Sequence, residues 1–241
     1  MFELVGRVVS PGAQVSAATT SQADGTGGDR PAGALVAEWA YLQLRDRIVT
    51  LALPPGALLR EDELMRELAV GRTPLREAIK RLALERLVAV QPRRGTRVTA
   101  VNVDDIAHVT EVRAELEGQA AELAATRMDD LTRASAGELI AELGAIDDAS
   151  GDALMRADER VHRLTWRAAG NPYLTETLEG YFALSLRVWY LVLDRVELSE
   201  PVHGQVKLLD ALLARDGGRA RQLMREHILA FERATLAALD R

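Results

Sequence analysis

Gly71-Arg72-Thr73-Pro74-Leu75-Arg76-Glu77-Ala78-Ile79-Lys80-Arg81-Leu82 is the stretch on which the reading of the fold turns. Proline is tolerated in the first turn of a helix, where its missing N–H has no partner to lose, so Arg72-Thr73-Pro74 reads as a helix start. The helix runs to about Glu85. Leu75, Ala78, Ile79 and Leu82 recur at helical spacing and form its core-facing side. Thr73, Arg76 and Lys80 then project from the opposite side, with Arg72 at the edge. A helix N-terminus armed in this way can enter a DNA major groove. Arg donates twice to a guanine edge, while the hydroxyl and backbone N–H groups meet phosphate.

The flanking segments support that use. On the C-terminal side, Leu87 to Val90 and Thr96 to Val101 are short strand-like runs joined by the turn Pro92-Arg93-Arg94-Gly95. The run Arg93-Arg94-Gly95-Thr96-Arg97 puts guanidinium groups on a hairpin tip, suited to phosphates or a minor groove. On the N-terminal side, Leu35, Trp39 and Leu42 mark a helix that runs to about Thr50. Pro54-Pro55-Gly56 breaks it, and Glu61 to Leu68 is a second short helix. Three helices followed by a two-stranded hairpin is the order of a winged helix-turn-helix. Arg72, Arg76 and Lys80 would also suit an ordinary solvated helix face; the order of elements and the arginines of the hairpin favour the DNA reading.

Charge is partitioned along the chain in the same sense. The 241 residues carry a formal net charge of −6, which taken alone argues against a nucleic-acid partner. Residues 35–101, however, hold 12 basic and 8 acidic groups, a net +4, whereas residues 102–241 hold 16 and 25, a net −9. Residues 1–34 are rich in Gly, Ala, Ser and Thr and are expected to form a disordered tail. Three segments follow: a tail (1–34), a winged helix-turn-helix DNA-binding domain (35–101) and a separate acidic, helical domain (102–241). The chain has no cysteine, which excludes disulfides, thiolate metal sites and cysteine nucleophiles. No stretch approaches the ~18 apolar residues needed to cross a bilayer, so no membrane partner is expected. Met1 to Ser10 lacks the apolar core of a signal peptide, and the expected location is cytoplasmic.

After Val101 the strand signals stop. Helices are expected at about 103–128, 132–147, 152–170, 172–195, 199–215 and 217–240, punctuated by Asn171-Pro172, Ser199-Glu200-Pro201 and Asp216-Gly217-Gly218. The fold class is thus mainly α, a winged helix followed by an antiparallel bundle of about six helices. Within that bundle Asp158 and His162 are four residues apart and share a face with Leu154, Val161, Thr165 and Ala169. His227 shares its face with Ala220, Leu223, Phe231 and Ala234. Arg113 shares its face with Ile106, Val109, Leu116 and Ala120, and Glu117 lies one turn away. A buried carboxylate needs a partner. Asp, two His and Arg aimed into one bundle suit a divalent metal with an anion clamp beside it; zinc, nickel, manganese and iron all accept such ligands. The plainer alternative is a hydrogen-bonded core histidine, with Arg113 and Glu117 as an i,i+4 ion pair.

Leu53-Pro54-Pro55-Gly56-Ala57-Leu58-Leu59, Val70-Gly71-Arg72-Thr73-Pro74-Leu75-Arg76-Glu77-Ala78 and Arg93-Arg94-Gly95-Thr96 together resemble the signature of the GntR family of bacterial transcription regulators. The resemblance implies that Arg72, Thr73 and Arg76 make the main base and phosphate contacts and that Gly95 sits at the wing tip. Lys80, Arg93, Arg94 and Thr96 complete the expected DNA-binding set. Two positions depart from the pattern: Gly71 stands where a Ser N-cap is common, and Arg86 stands where Gly usually ends the recognition helix. Residues 102–241 are similar to the helical effector domain of the FadR subfamily, called FCD. The matches are Glu111 to Glu117, Asp158-x-x-x-His162, Ala169-Gly170-Asn171, and Ala211 to Asp216 with Ala220 and His227. In that family an Asp and three His commonly bind a divalent metal, with a small organic acid beside or on it. Asp158, His162 and His227 fall on three of those positions, and Gln205 falls on the fourth. Three readings stay open: a metal on three ligands, His203 reaching in, or no metal and an effector bound directly by Gln205. Arg113 and Gln205 are the expected effector contacts.

The expected function is a ligand-responsive regulator, a repressor by default, that binds a palindromic operator in double-stranded DNA as a homodimer and responds to a small organic acid. One reader offers few phosphate contacts; two related by two-fold symmetry give usable affinity. A metal-dependent hydrolase would need a separate general base, and Glu117 is already placed to pair with Arg113, so no catalytic residue and no enzyme activity are expected.

Overall fold

The computed structural model describes residues 33–146, 151–196 and 203–239. The expected tail, up to residue 32, and the start of the expected 199–215 helix lie outside the described residues. The chain divides into two compact units with the boundary between Asp104 and Asp105.

The first unit contains α1 (Val36–Val49), β1 (Leu58–Leu59), α2 (Glu61–Glu67), α3 (Arg72–Leu84), β2 (Val88–Gln91) and β3 (Gly95–Val98). Leu44, Ile48, Leu75, Leu82 and Leu87 are fully buried. Burying an aliphatic side chain of this size contributes ~1.5–3 kcal/mol, so the apolar side of α3 holds its other side outward. The sheet has the order β1-β3-β2 and is antiparallel, with Val88 opposite Val98 and Gln91 opposite Gly95.

Strand β1 is absent from the sequence-level expectation. It pairs Leu58 with Arg97 and Leu59 with Thr96. Two residues carry no periodicity, and the pairing is made by tertiary hydrogen bonds just before them. Gly56, at φ +83, donates its N–H to Val98 O at 2.9 Å, and Val98 N–H donates to Ala57 O at 2.9 Å.

Helix α3 ends in a Schellman arrangement. Arg86 N–H donates to Ala83 O at 3.1 Å and Leu87 N–H to Leu82 O at 2.9 Å. This geometry needs a left-handed residue after the cap, and Arg86 adopts φ +60. At the other end Gly71 stands at the N-cap with no side-chain hydrogen bond, as its lack of a side chain requires.

The second unit is helical: α4 (Val103–Arg127), α5 (Asp130–Leu143), α6 (Gly151–Ala168), α7 (Pro172–Val192) with a 3-10 turn at Leu193–Arg195, α8 (Gln205–Leu213) and α9 (Gly217–Leu239). Asp129 caps α5 by accepting from Thr132 N–H at 2.8 Å. Asn171 caps α7 by accepting from Leu174 N–H at 3.3 Å, with Pro172 at the first helical position. Arginines close two helix ends: Arg127 donates to Ala169 O and Arg133 to Leu213 O, each at 2.8 Å. Trp166, Phe182, Trp189, Leu154, Leu178 and Leu208 fill the core. No helix among the described residues is long and apolar enough to cross a membrane.

Candidate ligand centre and nucleic-acid interface

In the first unit Arg72, Thr73, Arg76 and Lys80 are all exposed on one side of α3. Arg76 Nε donates to Glu61 Oε2 at 2.9 Å and Arg72 Nη2 to Asp62 Oδ1 at 3.5 Å, so two of the exposed arginines rest against the first turn of α2. Exposed pairs of this kind are worth ~0.2–1 kcal/mol, less than the ~1–3 kcal/mol of a good bidentate base contact, and do not hold the arginines back from DNA.

The hairpin turn presents Arg93, Arg94 and Gly95 to solvent. Arg94 N–H donates to Gln91 O at 3.0 Å, which closes the turn. Arg93 lies at φ +63 and Gly95 at φ +84. Thr96 differs from the arginines beside it. Strand alternation begins at Gly95, so Thr96 points into the buried side, 7% exposed, and Arg97 points out. The Thr96 side chain is thus set apart from the outer surface of the wing. Arg97 donates from Nη1 to Gly56 O at 3.0 Å, tying the wing to the loop before β1.

In the second unit α4, α6, α8 and α9 each send a polar side chain to one buried point. Asp158 and His162 come from α6, His227 from α9, Gln205 from α8, and Arg113 and Glu117 from α4. Asp158, His162, Gln205, Arg113 and Glu117 are at most 3% exposed. The high amphipathicity of α6 explains its share: its arginines at 156, 160 and 167 face solvent, leaving one buried stripe that contains the Asp and the His.

The contacts form a chain. Arg113 Nε donates to Glu117 Oε1 at 2.6 Å, and Trp166 Nε1 donates to Glu117 Oε2 at 3.2 Å. His162 Nδ1 also bonds Glu117 Oε2. Burial opposes ionisation of Glu117, but Arg113 and His162 outweigh it and hold the carboxyl down at about 2. An ionised carboxylate only accepts, so His162 Nδ1 carries the hydrogen. With that hydrogen on Nδ1, Nε2 is the ring nitrogen that can offer a lone pair to a cation. That Nε2 lies 3.3 Å from His227 Nε2 and 3.6 Å from Asp158 Oδ2. His227 Nε2 lies 3.2 Å from Asp158 Oδ1. Against the cost of burial, His162, His227 and Arg113 hold the Asp158 carboxyl below its ordinary range. The phenyl ring of Phe182 packs against His162 at 5.0 Å and Arg113 at 4.9 Å.

Among the described residues, Asp158, His162 and His227 form a group whose metal-competent atoms all lie within 4.8 Å of one another. His203, one of the three readings left open by the sequence, stands outside that group. Gln205 points inward: its Nε2 donates to Asp158 Oδ1 at 2.6 Å and lies 3.1 Å from His227 Nε2. Sequence spacing pairs Glu117 with Arg113 alone and does not reveal its bond to His162. The available signal is that both residues lie on inward faces, which places a second carboxylate in the same interior.

Each unit matches a known family. A family model described as bacterial regulatory proteins, gntR family, matches residues 36–98, and a model of the FCD domain matches residues 108–230. The chain is 34% identical over 200 residues to the HTH-type transcriptional repressor GlaR of Escherichia coli, covering 78% of this chain and 90% of GlaR. It is 30% identical over 200 residues to the probable D-xylose utilization operon transcriptional repressor of Paenarthrobacter nicotinovorans, covering 80% and 87%. Among solved structures it resembles McbR/YncC of Escherichia coli, with a TM-score of 0.71 at 22% identity over 82% of this chain and 95% of that one. The winged helix with its exposed arginines and the helical unit that follows it in sequence therefore define a class of DNA-binding transcription regulators. The chain belongs to the gntR family of these bacterial proteins and carries an FCD domain.

Proposed function

We propose that this protein is a transcriptional repressor that binds a palindromic operator as a homodimer and is released or repositioned by a small organic acid held at the buried centre, on or beside a divalent metal. The observation that carries the reading is the convergence of His162 Nε2, His227 Nε2 and Asp158, with Glu117 fixing the ring of His162 from behind. A carboxylate that accepts from the far nitrogen of a metal-ligating imidazole fixes its tautomer and strengthens its basicity. The donor set fits a divalent ion: two imidazole nitrogens and one carboxylate. Asp158, His162 and His227 would hold it, and an ion there supplies positive charge and a coordination point for an anion.

Charge balance supports an acidic effector. With neutral histidines, Arg113, Glu117 and Asp158 sum to −1. A divalent cation turns the buried centre to +1, and a carboxylate ligand neutralises it. Arg113 commits its Nε to Glu117, and the outer nitrogens of its fork are the ones that would take the carboxylate. On the DNA side, α3 offers Arg72, Thr73, Arg76 and Lys80, and the wing offers Arg93, Arg94 and the Gly95 backbone. The effector acts only through a difference in its affinity for two arrangements of the paired readers.

The test is a gel-shift titration of the intact protein on DNA from upstream of its own gene and the divergent neighbour. Mn2+ or Zn2+ is added with a panel of hydroxy- and dicarboxylates. The reading expects a specific shift that at least one metal–acid pair abolishes or alters. A protein that fails to shift any palindrome there, or whose shift no acid affects, contradicts it.

A further inference from the structure

Gln205 is the member of the centre that the cluster of metal-competent atoms does not account for. Its side chain is 1% exposed. Its Nε2 donates to Asp158 Oδ1 at 2.6 Å and lies 3.1 Å from His227 Nε2. Its Oε1 is buried and has no hydrogen-bond partner among the described residues. Leaving such an acceptor unsatisfied is costly, and a buried orphan of this kind calls for an explanation.

We propose that Gln205 is the fourth protein ligand of the centre and biases it toward hard, oxygen-preferring cations such as Mn2+. The proposal rests on the metal reading above. Without an ion, the lone pairs of Asp158 Oδ1 and, in the tautomer that leaves it bare, of His227 Nε2 both lie within hydrogen-bond reach of the amide Nε2. With those lone pairs given to a cation, the N–H groups lose both acceptors. The two ends of an amide have nearly the same size, so turning it over costs no space and aims Oε1 at the cation. The resulting set is two imidazole nitrogens and two oxygens. Carboxylate and carbonyl oxygens suit manganese, whereas added imidazole favours zinc and nickel. Gln205 thereby serves two states: its nitrogen end stabilises the ion-free centre, and its oxygen end completes the loaded one.

The test is calorimetric titration of MnCl2 and ZnCl2 into the chelator-stripped, full-length protein and its Gln205→Leu, Gln205→Glu and Gln205→His variants. Thermal melting checks that each is folded, and the spin-resonance signal of Mn2+ gives a second readout. Gln205→Leu is expected to weaken Mn2+ binding about tenfold or more, Gln205→Glu to restore it, and Gln205→His to raise the zinc-to-manganese affinity ratio about tenfold or more. If folded Gln205→Leu binds both ions as the wild type does, Gln205 is not a ligand and the metal reading survives alone. If Gln205→Leu does not fold, an unchanged zinc-to-manganese ratio in Gln205→His overturns the proposal. If the wild type takes up neither ion, the metal reading fails and this inference fails with it.

Discussion

Arg86 shows how a single residue departs from what its backbone asks for. The Schellman end of α3 demands a left-handed conformation, and an L side chain at φ +60 costs ~1–2 kcal/mol that glycine avoids. Arg86→Gly is expected to raise stability by about 1 kcal/mol, read as a higher urea midpoint at unchanged slope; an unchanged or lower midpoint would mean that the arginine side chain contributes more than its backbone costs. Arg76 illustrates the opposite case, a residue whose stability role is small. Its exposed pair with Glu61 is worth little, so Arg76→Ala should leave folding intact while costing roughly 1–3 kcal/mol in operator affinity and relaxing base preference. Operator binding equal to wild type would remove Arg76 from the readout. Side-chain direction is legible in the sequence wherever a helix supplies a long enough wheel. Arg113, Glu117, Asp158, His162 and Gln205 are all buried as their spacing implies. Their partners are less legible: His162 and Glu117 are 45 residues apart, and no local rule joins them.

Among the elements, helices are readable because each carries a cap, a breaker or a repeating apolar face. Pro74 lies in the first turn of α3 and Asn171-Pro172 opens α7, and both starts agree with the sequence reading. Strand β1 is not readable, because its two residues acquire strand geometry only by pairing with β3. The same pairing decides the wing. Assigning Gly95 to the turn hides the phase of β3, and with it the inward aim of Thr96. The wing therefore exposes its arginines and the Gly95 backbone, while the Thr96 side chain is buried. A change of Arg93 and Arg94 together to Ala should weaken binding almost equally on operator and random duplex. It should also lower the slope of log K against log salt by about 1 for each phosphate that the arginines neutralise. Weakening confined to operator DNA would instead assign base-specific contacts to these arginines.

For the whole molecule, the net charge of −6 conceals two opposite units, a +4 reader and a −9 helical unit. Family membership and the two-unit organisation account for the reader; the buried centre gives the second unit its chemistry. On this view the centre controls DNA binding without being needed for it. The decisive experiment changes His162 and His227 together to Ala and measures operator affinity with and without MnCl2 and the organic acid to which the wild type responds. The double variant is expected to fold, to bind operator with wild-type affinity and no longer to respond to the acid. Absence of operator binding in the folded double variant would make the centre structural, and a retained response would place the effector elsewhere; either result contradicts a controlling role for the centre.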